Sequence, residues 1–359
     1  MVYDIKSGNL KCPNCTSEID IVSDRAIEEH PYSDRDSGNT KTDQLAENNQ
    51  EITTMSCESC GAVIELSPEI TATSCPYCDS HIVLAQKQEA TIVPDGISPF
   101  KIDKIEAGQK FNEWIKKKWL APSDLKNLYQ KDKFLQIYVP FWTFDAEVES
   151  FYRGSGGIDR TVEYKDDNGE TKTRTETDWY NTSGTVRNSF DDILIRATRT
   201  LDEKCLKNIG SYDTIKGLKG YSPEYMSGFS AERHTIPLKD AHDEAVIEME
   251  NDMKELARKD ILKSYDRAKV DSVNSRMYDE TYKHVILPIY STSYAFKGKT
   301  YNVLINGETG YISGSYPKSY LKIGIIVAIV LIILIFIFTR SKASAEILSY
   351  YNYIENIFL

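Results

Sequence analysis

Six of the seven cysteines stand in C-x2-C pairs, and one pair of pairs is written twice. Cys57, Cys60, Cys75 and Cys78 read C-x2-C-x14-C-x2-C. Shifted back by 45 positions, the frame returns as Cys12, Cys15, His30 and Ser33, and Pro31-Tyr32 and Asp34 answer Pro76-Tyr77 and Asp79. A tight C-x2-C turn aims two thiolates at one point, and two such turns supply the four tetrahedral ligands of a structural zinc. Between Cys60 and Cys75 the chain reads strand, Ser67-Pro68-Glu69 turn, strand, and 81–84 can add a third. Two N-terminal zinc ribbons are therefore expected, one intact and one degenerate. Cys57, Cys60, Cys75 and Cys78 form a closed zinc site with no open position. In the first copy, Cys12, Cys15 and His30 are the candidate ligands of a second ion, with Asp34 or water in fourth place. The other reading leaves that copy empty, because serine normally loses the ligand.

The far end carries 16 residues, Ile323 to Phe338, without a polar side chain. At ~1.5 Å per residue they cover roughly 24 Å, and Tyr320, Leu321 and Thr339 bring the segment close to a hydrocarbon core of about 30 Å. Lys322 and Arg340 flank it and can snorkel outward. Apolar side chains surround this helix on every side, which argues against a core helix of a soluble domain. The expectation is one transmembrane helix over 320–339. Lysines before the span and the reduced C-x2-C thiols both put the N-terminal body in the cytoplasm. The tail, 340–359, has apolar residues at roughly helical spacing.

The net charge is −11, and from Thr42 to Gln86 there are seven acidic residues and no basic one. That disfavours nucleic acid, whose backbone is held by Lys and Arg. The basic zone is Lys101–Lys133, where nine lysines face five acids and Lys116-Lys117-Lys118 lie between Trp114 and Trp119. It reads as a core helix with a solvated face, or as a helix resting on anionic lipid. Helical spacing is expected over 100–120, near Leu201–Ile209 around Cys205, and over Pro237–Ser264 with a stripe of Ala241, Ala245, Met249, Met253, Leu256 and Ala257. Strands are expected over 134–153, on both sides of the Asp167-Asn168-Gly169 turn, and over 284–294, 301–305 and 311–313. Val139-Pro-Phe-Trp-Thr143 echoes Leu287-Pro-Ile-Tyr-Ser291.

No HExxH, GxSxG, Walker or GxGxxG pattern occurs, and the glycines at 154–157 lack the frame of a phosphate cradle. The chain is thus laid out as a degenerate ribbon (1–34), a polar linker (35–50), a ribbon (51–90), a central α+β domain with an antiparallel sheet (91–317), the membrane helix (320–339) and a short tail (340–359).

The two ribbon frames occur with Pro99-Phe100-Lys-Ile-Asp-Lys104, Val139-Pro-Phe-Trp142 with Asp145, Tyr221-Ser-Pro-Glu-Tyr225 with Gly228-Phe229, and Leu287-Pro288 followed by Asn306-Gly-Glu-Thr-Gly310. In this combination the chain resembles a bacterial family of membrane-anchored twin zinc-ribbon proteins, labelled "TFIIB-type zinc ribbon" or "primosomal protein N-prime-like". The resemblance implies cysteines at the positions of His30 and Ser33, and an adaptor role at the cytosolic membrane face. It also implies work beside flotillin-like (SPFH) and phage-shock-type proteins in envelope stress. The expectation is a non-enzymatic, single-pass membrane adaptor that recruits a cytosolic or membrane-associated protein partner through its acidic structural zinc ribbon, with no small-molecule substrate. The alternative is a membrane-tethered nucleic-acid-binding or replication-associated factor.

Overall fold

The computed structural model describes residues 1–22, 25–33, 53–56, 63–66, 72–74, 81–83, 93–122, 134–167, 169–297 and 299–355. The chain begins with a small antiparallel sheet of β1 (Val2–Asp4), β2 (Asn9–Lys11) and β3 (Glu18–Ile19). It continues through β4 (His30–Pro31), β5 (Thr53–Ser56), β6 (Val63–Leu66), β7 (Ala72–Ser74) and β8 (His81–Val83). The body follows with β9 (Gly96–Ile97), α1 (Lys104–Lys117), β10 (Leu135–Lys165), β11 (Thr171–Arg196), α2 (Glu203–Lys207), β12 (Lys219–Gly220), β13 (Ser230–Glu232) and α3 (Leu238–Ile261). It closes with β14 (Arg267–Phe296), β15 (Lys299–Asn306), β16 (Ile312–Gly314) and α4 (Tyr320–Glu355). This is a mixed α+β architecture, and the sheet order β11-β10-β14-β15 is antiparallel throughout.

β10 and β14 pair along almost their whole length, and Val139 faces Leu287. The two echoing sequence segments therefore pair with each other, and about that point the body repeats itself. β9 runs parallel to β14, with Val285 opposite Gly96, while β13 runs parallel to β10, with Ile137 opposite Ser230. β11 joins β10 at Phe141 opposite Arg196, and β15 joins β14 at Ile289 opposite Asn306. Proline has no N–H to give a ladder, so Pro140 and Pro288 suit the places where the chain branches. Ala197 N–H donates to the Pro140 carbonyl at 3.0 Å and Gly307 N–H to the Pro288 carbonyl at 2.8 Å. The Ala197 carbonyl accepts from Thr235 and Ile236, and the Gly307 carbonyl accepts from Lys101 and Ile102. Trp142 Nε1 donates to the Ile236 carbonyl at 3.1 Å, and the Tyr290 hydroxyl to the Ile102 carbonyl at 2.7 Å. Two β-α-β-β units, β9-α1-β10-β11 and β13-α3-β14-β15, thus interlock, each lending its short first strand to the other's long one.

The helices cover the sheet as their spacing dictates. Asp103 caps α1 by accepting from the N–H groups of Ile105 and Glu106, and Ala107, Phe111 and Ile115 face inward. In α3 the expected stripe is buried: Ala241, Ala245, Met249, Met253 and Ala257 lie against β10, β11 and β14. The aromatic core is built around Phe100, whose ring centroid lies 5.2 Å from Tyr138 and 5.0 Å from Tyr290. The N-terminal sheet packs into this core through the buried Tyr3, 5.7 Å from Tyr225.

Beyond the core, β10, β11 and β14 continue as a three-stranded arm, and among the described residues only the β10–β11 hairpin pairs past Gly157. The expected turn closes it: Gly169 takes φ +80°, and its N–H donates to the Asp166 carbonyl. β14 is much longer than expected. It starts at Arg267, because 267–280 form a half-exposed strand with no fully buried side chain to mark it. The glycines at 154–157 are part of strand β10. Tyr265 lies against Gly156, and a Cβ on Gly154 would stand 2.3 Å from the Lys269 carbonyl oxygen. α4 runs unbroken to Glu355, past the end expected for the apolar span.

Gly154→Ala is expected to lower stability by about 1–3 kcal/mol, since its new methyl meets backbone that cannot swing aside. Urea unfolding of the full chain in detergent, compared with the unaltered protein, measures it.

Candidate functional site

Each C-x2-C turn is framed by backbone pairing in one register. The residue before the first cysteine pairs with the third residue after the second: Lys11 with Glu18, Ser56 with Val63, and Ser74 with His81. The flanking register is the same in all three. Cys57, Cys60, Cys75 and Cys78 themselves lie outside the described residues. In the first knuckle Cys12 N–H donates to the Ser17 carbonyl and Thr16 N–H to the Cys12 carbonyl, both at 2.9 Å. Thr16 takes φ +61°, a left-handed conformation that this turn imposes on a β-branched residue. Hydrogen bonds from the Ser17 side chain and backbone, then from Cys12, lower the Cys15 thiol pKa to about 7.

In the fourth frame, His30 to Ser33, the residue that would close the same hairpin, Asp36, lies outside the described residues. His30 and Pro31 make the short strand β4 on the side of β14, opposite Tyr282 and Thr281. His30 Nε2 lies 2.8 Å from Asp95 Oδ1, and its ring packs 5.4 Å from that of Tyr282. Among the described residues, Cys12, Cys15 and His30 do not draw together as a three-ligand group. Residues of this half-knuckle instead bind the body: Tyr32 stacks on His242 at 3.7 Å, and Tyr32 N–H donates to the Glu280 carbonyl.

These contacts meet at a double bulge in the arm, a feature that bends a ladder locally. Opposite the stretch around Asp145, β11 carries an extra residue at 191–192 and β14 one at 279–280. Asp192 and Asp279 take φ +56° and +50°, as such bulges require. Asp145 ties the bulges together: Oδ1 accepts the Asp192 N–H at 2.6 Å and Oδ2 the Thr281 hydroxyl at 2.9 Å. Lys283 Nζ lies 2.7 Å from Asp192 Oδ1 and 3.1 Å from Glu29 Oε1, and both Lys283 and Asp192 are buried. The Asp192 contact is an ion pair held by distance, since neither of its oxygens meets hydrogen-bond geometry. Burial alone would push the Lys283 ammonium down, but the carboxylates of Asp192, Glu29 and Asp145 outweigh it and raise its pKa. Burial raises the Asp145 pKa, against the bonds it accepts.

Asp145, Asp191 and Asp192 are the described residues whose ligand atoms gather within 4.8 Å, a grouping the sequence reading missed. The Lys283 ammonium already supplies a cation there. Beside this elbow His284 is buried with both ring nitrogens lacking a hydrogen bond among the described residues. Burial, and then the nearby His234, lowers its pKa to about 3. Its main chain is fixed: its N–H donates to Asp95 Oδ2 at 2.8 Å and its carbonyl accepts from Asp95 N–H at 2.7 Å. Asp95 therefore links the His30 segment to β14. The elbow reads as a joint that sets the angle of the arm, with the N-terminal segment as its clasp.

A Bacillus subtilis (strain 168) protein, "Uncharacterized protein YdjG", is 24% identical to this chain over 232 residues. The match takes in 65% of this chain and 66% of that protein, just under two thirds of its length. No family model matches. No solved structure matches.

Lys283→Met is expected to cost about 3–5 kcal/mol by leaving the Asp192 carboxylate buried and uncompensated, and adding Asp192→Asn should recover much of it. Urea unfolding of the two variants in parallel checks this. His284 predicts acid sensitivity. The unfolded chain takes up a proton below about pH 6.5 that the native imidazole refuses until about pH 3, so stability falls as pH drops through that window. The loss from this group is about 2 kcal/mol at pH 5, and His284→Leu should flatten the pH dependence of the unfolding midpoint.

Proposed function

We propose that this chain is a non-enzymatic, single-pass membrane adaptor whose cytoplasmic body holds a protein partner away from the bilayer. The observation that carries the reading is the placement of two features at opposite ends of one sheet. α4 supplies a 19-residue segment, Tyr320–Phe338, long and apolar enough to cross a membrane and unburied by the rest of the protein. It leaves the body beside the β14–β15 turn. From that end β10 runs 31 residues to the hairpin turn, a path of about 100 Å at ~3.3 Å per residue.

The arm has the character of a docking surface. Among the described residues β11 pairs only with β10, so its outer edge offers backbone groups to an added strand. Phe151, Ile158, Trp179, Tyr180 and Tyr278 are exposed along it. Charges such as the Arg187–Glu149 and Arg160–Asp178 pairs interrupt these residues and suit a chosen partner over self-pairing. The expected partner is a membrane-stress protein of the flotillin-like or phage-shock class that the sequence resemblance implies. A nucleic acid is the less favoured partner, because the described lysines Lys116, Lys117 and Lys118 lie at the membrane end and not on the arm.

The reading includes one structural zinc on Cys57, Cys60, Cys75 and Cys78, supported by the shared hairpin register around both knuckles. It would clamp the β5–β6 hairpin, whose β6 pairs with β13 opposite Glu232.

Purified full-length chain is expected to carry one zinc, lost in Cys75→Ser and kept in Cys12→Ser, by elemental analysis. Replacing residues 158–178 by a short turn should leave membrane anchoring and zinc content intact while abolishing partner crosslinks in membranes. Crosslinks that survive this deletion would refute the arm as the docking surface, and salt-sensitive duplex-DNA binding would favour the alternative.

A further inference from the structure

The end of the body from which α4 departs is built from three stretches far apart in sequence: 114–121, 296–299 and 316–322. Their packing is well defined. Ile115 and Ala121 form a small core with Trp114, Phe296 and Tyr316. The Trp114 and Tyr316 rings meet edge to face at 6.0 Å, and Lys118 Nζ lies 5.0 Å above Trp114 and 5.6 Å above Tyr316. The loop after α1 is tied to the first turn of α4. Ser319 N–H donates to the Leu120 carbonyl at 2.8 Å, and Lys322 Nζ donates to the carbonyls of Trp119 at 3.1 Å and Ala121 at 2.6 Å.

Two properties of this foot stand out in a chain of net charge −11. The three stretches contain seven lysines and no acidic residue. Of these, Lys116, Lys117, Lys297, Lys299 and Lys318 are exposed. Trp119 is 64% exposed, whereas Trp114 packs into the small core beside it. An exposed indole held at the level of the first turn of an apolar helix, ringed by lysines, matches the chemistry of a bilayer interface. Indoles settle among headgroups, and lysine ammoniums near an anionic leaflet gain favourable electrostatic energy.

We propose that this foot is a docking surface for acidic phospholipids. Trp119 enters the interfacial layer, and Lys116, Lys117, Lys297, Lys299 and Lys318 engage phosphate and carboxylate headgroups around it. The inference rests on α4 crossing the membrane. It adds a second attachment, which fixes the tilt of the body and hence the direction in which the arm points. A single helix leaves the body free to swivel, and a lysine-rich foot on an anionic surface removes that freedom.

The test uses the full chain in nanodiscs of phosphatidylcholine alone or mixed with phosphatidylserine, with bromine on the upper acyl carbons. The Trp119 signal is the emission difference between the unaltered chain and Trp119→Phe. Bromine should quench it several-fold more strongly in the phosphatidylserine discs, and Lys116→Gln/Lys117→Gln/Lys297→Gln should erase that excess. Near-ultraviolet circular dichroism of the variants verifies that the fold is kept. If the chain stays with the discs through alkaline washing but Trp119 is unquenched, or is quenched equally with and without phosphatidylserine, the lipid-docking foot is overturned and the anchor stands. If alkaline washing strips the chain from the discs, the anchor reading fails and the foot falls with it.

Discussion

The antiparallel ladder between β10 and β14 is the constraint from which the remaining architecture follows. These strands pair from Leu135 opposite Ser291 to Gly157 opposite Arg267, and β9, β11, β13, β15 and α3 are positioned against them. The short strands β9 and β13 each run along one of them, and β11 and β15 close the outer sides. At the two prolines the ladder gives up donors, and the prolines' own carbonyls accept from Ala197 and Gly307 where the chain leaves the sheet. A buried carbonyl needs a partner, and here that need fixes where helices α1 and α3 begin. Trp142 and Tyr290 repeat the same bond to the carbonyl just ahead of each helix.

The bend at Asp145 depends on that ladder being interrupted on both sides at one level. Two bulges face each other across β10, and a buried carboxylate and ammonium hold them. Such a joint is costly to break, because either ion left alone in the interior is poorly solvated. The N-terminal segment adds its own contacts through Glu29, His30 and Tyr32. The half-knuckle that lost its thiolates thus serves as a clasp on the body. His30 thereby joins the N-terminal segment to Asp95 and, through it, to β14.

Much of this was readable from residue patterns. The α3 stripe, the Asp167–Gly169 hairpin and the apolar C-terminal helix follow from periodicity and turn chemistry, which act within a few residues. The first half of β14 was not readable. Its inward positions include Val270, Val273 and Met277, only partly buried under α3, and between them stand Asp271, Asn274 and Arg276. A strand half-covered by a helix of alanines and methionines leaves a weak hydrophobic signal. The polar elbow was missed for a different reason. Asp145, Asp192, Thr281 and Lys283 come from three strands, and no local rule links them. The basic zone around Trp119 was visible, but its two possible roles separate only when Lys322 and Ser319 are seen bound to the loop after α1.

The chain's own order determined the number and kind of its parts: C-x2-C knuckles, an amphipathic helix over a sheet, and a helix too apolar for water. These depend on neighbours in sequence, whose spacing is set by covalent geometry. Tertiary structure alone decided that the echoing segments pair with one another and that His30 turns to Asp95. It also decided that lysines from three distant stretches share one end of the body. Such outcomes are contacts between residues up to about two hundred positions apart, and only the global closure of the β10–β14 ladder brings them within reach.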